Sequence, residues 1–153
     1  MITTELVQSL GFVGVSVAAS IAFGGLLSLS PVRRNLDAVT YTRVQQRFIK
    51  AVDGLMKAIY PISLIATLVA IVLVRHHSTV LGWTIAGFAL LLGAFIDTMA
   101  FDLPLNKEFL GWSADTPPTT WQATRARWER VNMIRALLLA GAVVCLYLAA
   151  LLG

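Results

Sequence analysis

Charge is scarce in this chain, and so are the residues that usually staple a fold or hold a metal. Only 13% of its 153 residues are charged, against 58% hydrophobic, and the mean hydropathy is +0.78. Soluble domains carry about 25% charged residues, so this composition excludes an ordinary soluble fold. A single cysteine, Cys145, excludes any intramolecular disulfide. The two histidines, His76 and His77, are adjacent in a short loop with no cysteine and no nearby carboxylate. That is not a metal-ligand set. There is no phosphate-binding glycine loop, no dinucleotide fingerprint and no Ser-His-Asp layout. Neither metal nor cofactor is therefore expected. Internal repeats and low-complexity tracts are missing too. Before the first apolar run stands Glu5 but no Lys or Arg, so the first helix is expected to be retained rather than cleaved as a signal peptide.

What is present is apolar length. Four stretches stand out, Leu6–Leu29, Ala58–Val74, Val80–Phe101 and Val131–Leu152. At ~1.5 Å per residue they span ~25–36 Å, against a hydrocarbon core of ~30 Å. The second is shortest and needs Lys57 or His76 to snorkel at its ends. The expected fold is all-α, a bundle of four transmembrane helices in one domain over residues 1–153.

The net charge of +4 does not point to nucleic acid, because apolar helices exclude a soluble nucleic-acid-binding fold. Of the 12 Lys and Arg residues, all but Arg75 lie in or beside the first and third loops. The positive-inside rule then puts both long loops in the cytoplasm and both termini on the other side of a cell membrane. Anionic lipid heads are the natural neighbours of those charges.

Helix one carries Gly14, Ala18 and Ala22 at four-residue spacing, which allows close helix approach within the bundle or across a homo-oligomer seam. Ser30-Pro31 reads as a helix start, with Ser30 as N-cap. From Asp37 an amphipathic stretch (Val39, Val44, Phe48, Val52, Leu55) is predicted to run into helix two as one rod, kinked at Pro61. In the third loop, Thr119 and Gln122 match a capping box, and a helix starts near Thr120.

That last helix places Trp121, Arg125, Trp128, Asn132 and Arg135 on one face at the inner membrane boundary. Arg135 must point into the bundle or snorkel, because a guanidinium at mid-bilayer costs roughly 2.5 kcal/mol or more. Helix three runs the opposite way, and Asp97 reaches about the same depth. An Asp97–Arg135 pair is the simplest way to satisfy both charges, either fixing helix register or lining a polar pocket. Asn106, near Pro104, closes a turn or touches a ligand. Trp112, Trp121 and Trp128 anchor the interface or wall a flat aromatic guest.

Pro104-x-Asn106, followed by Trp121, Trp128 and Asn132-x-x-Arg135, resembles the anthrone-oxygenase-like family of small four-helix membrane proteins. A small-residue-rich first helix and a Tyr/Gln/Arg-bearing entry to the second extend the resemblance over nearly the whole chain. It implies oxidation of anthrones to anthraquinones by dioxygen, without an obvious metal or flavin site. Under that resemblance Asp97 serves as base and Arg135 as partner of the developing oxyanion. Asn132 or Asn106 orients the substrate, with Trp121 and Trp128 as further contacts. The expectation is a protein that binds a lipophilic aromatic molecule near the cytoplasmic membrane face and oxidises it. The alternative is a non-enzymatic accessory subunit or a lipid- or quinone-binding module.

Overall fold

The computed structural model describes residues 2–153, with side chains from Thr4 onward. Every element in them is helical: α1 (Ile2–Phe23), α2 (Ser30–Arg34), α3 (Ala38–Leu73), α4 (Ser78–Asp97), α5 (Leu103–Gly111) and α6 (Trp121–Leu151). Two π-helical segments join them into longer rods. Gly24–Leu29 links α1 to α2, and Thr98–Asp102 links α4 to α5. The four resulting rods are 31 to 36 residues long and apolar enough to cross a membrane. A crossing needs about 20 residues, so each rod has turns to spare.

The spare turns gather at one end of the bundle. There Ser30 and Arg34 reach Glu129, Arg43 pairs with Asp115, and Thr124 donates to Glu108. Gln46 uses its amide to cap the end of α5, donating to the carbonyls of Phe109 (2.8 Å) and Trp112 (3.0 Å). The last carbonyls of a helix lack the usual partner four residues on, and here Phe109 O accepts only the tighter bond from Trp112 N (3.3 Å) besides the Gln46 amide. The opposite end closes through the short turn at Val74–His77, where His77 N donates to Val74 O. In the middle, α1 packs on α3 and α6, and α4 packs on α6 and, less extensively, on α3. Ala18, Ala22, Leu91, Ala136 and Leu139 fill the centre.

The expected rod through helix two is one continuous helix from Ala38 to Leu73, with Pro61 inside it. Asp37 caps it by accepting from the backbone N–H of Val39 and Thr40, both at 3.0 Å. Three local readings are corrected. Ser30 is not an N-cap: it has helical φ and ψ, its N–H bonds Gly25 O in the π pattern, and its hydroxyl is spent on Glu129. The Thr119–Gln122 capping box does not form. Thr120 is the N-cap and uses no side-chain bond, because tight backbone bonds such as Trp121 N to Pro118 O already close the first turn. The helix that carries the third apolar stretch does not stop near Phe101 but continues to Gly111, so the loop after it is only the stretch from Trp112 to Thr120.

Candidate functional site

The π segment at Thr98–Asp102 decides where the polar groups meet. In it Leu103 N–H reaches back five residues to Thr98 O. Such a wide turn inserts a residue and rotates the helix beyond it. It also lets Pro104, which has no N–H, enter a helix without breaking it. Asp102 is thereby turned into the bundle and is buried. Asn106, four residues on, lies over it and donates its amide to Asp102 Oδ2 (2.9 Å).

Asp102, not Asp97, is the partner of Arg135. Arg135 Nη1 stands 2.7 Å from Asp102 Oδ2, and its Nη2 donates to Asn132 Oδ1 at 2.6 Å. Asn132 then donates to Ala22 O of α1 (3.2 Å), and Trp128 Nε1 donates to Asn106 Oδ1 (3.0 Å). Trp128, Asn106, Asp102, Arg135 and Asn132 form one chain of bonds linking α1, α5 and α6. Within it, Asp102 Oδ1 is buried and accepts nothing. A buried acceptor left open costs free energy unless something occupies it.

That chain stands on the wall of a cavity of about 380 Å³. Pockets for drug-sized ligands run about 300–1,000 Å³. The polar side is Asp102, Asn106, Asn132, Arg135, Thr98 and Tyr60. The apolar side includes Phe48, Met56, Pro61, Phe95 and Trp128, and Asp53 and Lys57 also line it, bonded to each other at 2.6 Å. Thr98 Oγ1 lies 3.2 Å from Tyr60 OH and donates to Ala94 O at 2.8 Å. With the threonine proton used there, Tyr60 is the donor between the two hydroxyls. The second π segment borders the cavity through Thr98, Met99 and Asp102, and α1 borders it through Ala18, Ile21 and Ala22. Phe48 and Trp128 meet edge to face at 6.2 Å, and behind them the buried Arg33 guanidinium sits 4.5 Å from the Phe48 ring centre. Arg33 also donates to Gln45 Oε1 at 2.8 Å. This cation stiffens the aromatic wall from outside.

Residues 48–145, well over half of the chain, match the family described as anthrone oxygenase. The chain belongs to that family. No curated protein and no solved structure matches it. The anthrone oxygenase match opens at Phe48 on the cavity wall and takes in the whole polar chain from Asp102 to Arg135. The α1 wall, Ala18 to Ala22, lies outside it.

Of the six residues singled out in the sequence, Asn106, Trp128, Asn132 and Arg135 are brought together on the cavity. Asp97 is buried near them but does not line it, and its Oδ2 has no partner. Trp121 is not on the cavity either. It packs against Tyr41 with ring centres 5.3 Å apart, and the same cluster contains Phe109 and Trp112. Asp102 and Tyr60 were missed. An Asp and an Asn four apart signal a shared helix face, but Pro104 between them reads as a loop. Among the described residues no three His, Cys, Asp or Glu side chains converge as a metal-ligand set.

Proposed function

We propose that this protein binds a flat hydroxylated aromatic of the anthrone type in the cavity and oxidises it with dioxygen. The observation that carries this reading is the Asp102–Arg135 pair, held by Asn106 and Asn132, on one wall of a cavity whose other wall is aromatic and apolar. An anthrone in its enol form presents a hydroxyl to the Asp102 carboxylate. Proton transfer from the hydroxyl to Asp102 moves the negative charge onto the ligand oxygen, beside Arg135. The guanidinium stays next to an anion throughout, so no charge is stranded in the low-dielectric interior. The ring carbon opposite then gives its electrons to dioxygen and forms a C–O bond, and the peroxide anion so formed takes the proton back from Asp102. Loss of water from the resulting hydroperoxide leaves the second carbonyl. One anthrone and one dioxygen yield one anthraquinone and one water. Asn106 and Asn132 hold Asp102 and Arg135 in place, and Phe48 and Trp128 flank the rings. Asp97, off the cavity wall, is the weaker choice for the base. By the positive-inside rule, the basic end of the bundle faces the cytoplasm and both termini face away from it.

Oxygen uptake by the protein in lipid nanodiscs with a hydroxyanthrone tests the activity. Uptake above the uncatalysed rate, with one anthraquinone formed per dioxygen, is expected, and Asp102→Asn should remove it. The bond chain itself favours a second reading, because Asp102 is already engaged with Arg135 and Asn106. In that reading the cavity only holds a lipophilic molecule such as a quinone. Saturable binding without oxygen uptake would select it, and absence of both would end the small-molecule reading. Labelling of cysteines added at Asn35 and Gly153 with an impermeant maleimide tests the orientation.

A further inference from the structure

A second concavity lies on the outside of the bundle, between the α4–α5 rod and α6, and is independent of the cavity described above. Its volume is about 290 Å³. Its apolar floor is Phe101, Pro104, Leu105 and Val131, and Arg127, Arg130 and Glu108 supply its charge. Glu108 is bonded to Thr124 at 2.9 Å. Among the described residues, Arg127 and Arg130 have neither an ion-pair partner nor a side-chain hydrogen bond. Both are exposed, as is Phe101 (57%).

The arrangement is graded along the bundle axis. Arg127, Arg130, Val131 and Ile134 follow one another on one side of α6, with Arg127, Arg130 and Ile134 at spacings of three and four, so one stripe passes from cationic to apolar. Ile134 and Leu137 continue it with exposed aliphatic surface. On the facing rod, Phe101, Pro104 and Leu105 share a face in the same way. An occupant therefore meets two guanidinium groups at one end and aliphatic surface at the other. Arginine forks suit phosphate oxygens.

We infer that this groove binds an anionic phospholipid, with its phosphate between Arg127 and Arg130 and an acyl chain along Phe101 and Ile134. A basic recess between membrane helices at the interface is suited to such headgroups, and each cationic side chain near the surface contributes about a fivefold gain in affinity. Bound there, the lipid clamps α5 to α6 on the side away from the cavity.

Native mass spectrometry of the protein from detergent with added phosphatidylglycerol or phosphatidylcholine tests this. Retention of phosphatidylglycerol over phosphatidylcholine is expected, falling about fivefold in Arg127→Gln and in Arg130→Gln, and further in the double variant. Lys50→Gln, a basic position on α3 outside the groove, should leave it unchanged. Gel filtration confirms that each variant is folded, and the single variants decide the matter where the double one is not. Equal retention of the two lipids, a preference that survives both substitutions, or full displacement by soluble glycerol phosphate would overturn the inference.

Discussion

Arg135 and Asp102 meet at 2.7 Å from two helices of opposite direction, on the wall of a cavity rather than in a closed seam. The pair is largely shielded from solvent, so removing one partner strands the other charge. Arg135→Met is expected to destabilise the protein by about 3–5 kcal/mol, and Arg135→Met with Asp102→Leu to recover most of that. Ligand binding should be lost in both. Thermal melting in detergent, run beside a ligand titration, separates the two effects. A double variant that recovers both stability and binding would show that the pair only ties helices together.

Trp128 contributes a ring to the cavity and one proton to the bond chain, through Nε1 to Asn106 Oδ1. Trp128→Phe keeps a ring and deletes the proton, leaving the Asn106 oxygen without its donor. The expected loss in stability is about 1–3 kcal/mol, the cost of an open buried acceptor. Ligand affinity should fall by more than Trp121→Phe lowers it, because Trp121 packs on Tyr41 away from the cavity. Equal losses would place both tryptophans in the same role.

The sequence made the membrane bundle legible because hydropathy length and the clustering of Lys and Arg are large, additive signals. The α6 side of the site was legible for a similar reason. Trp128, Asn132 and Arg135 lie on an uninterrupted helix, where spacing alone fixes the face. The α4–α5 side was not. The apolar run ends at Phe101, so Asp102 reads as loop and Asp97 as the carboxylate level with Arg135, and nothing in Thr98–Asp102 announces the π turn that keeps Asp102 in the helix. Pro104 compounded the error by reading as a helix boundary. Ser30-Pro31 misled in the same manner, since a π segment before it carries the helix through. Trp121 shares a face with Trp128, but which turns of that face meet a cavity depends on Tyr41 and Phe109 from other helices. No local pattern encodes that.

Asp37 links helix capping to pH. The backbone N–H of Thr40, then the Thr40 hydroxyl and the N–H of Val39, hold its carboxyl below the ordinary value of 3.8. A folded-state value below the unfolded one means that the stabilisation is fully present above the unfolded value and is lost as pH falls through the folded one. Asp37→Ala should therefore melt below the unsubstituted protein at pH 7, with the gap closing as pH falls below the ordinary carboxyl value. Asp37→Ser, which keeps a capping oxygen without the charge, should show a smaller gap that does not change over this range. A gap for Asp37→Ala that is independent of pH would assign the effect to helix propensity instead of the cap.

The seam between α1 and α3 gives the sharpest test of packing. A Cβ on Gly14 would lie 2.1 Å from Ser63 Oγ and 3.3 Å from Ser63 Cβ, so the glycine is required by one oxygen atom. That hydroxyl is buried and has no partner of its own. Gly14→Ala is expected to destabilise the bundle by about 1–3 kcal/mol, the usual cost of forcing an extra carbon into a packed site. Ser63→Ala removes the clashing atom and an unsatisfied polar group together, so alone it should be neutral or mildly stabilising. Added to Gly14→Ala, it should restore most of the loss, leaving only the tighter Cβ contact. The four melting temperatures form a double-mutant cycle whose coupling should exceed about 1 kcal/mol. Independent effects would mean that α1 and α3 can move apart at this level, and that the small-residue stripe of helix one is not held to α3 by steric fit.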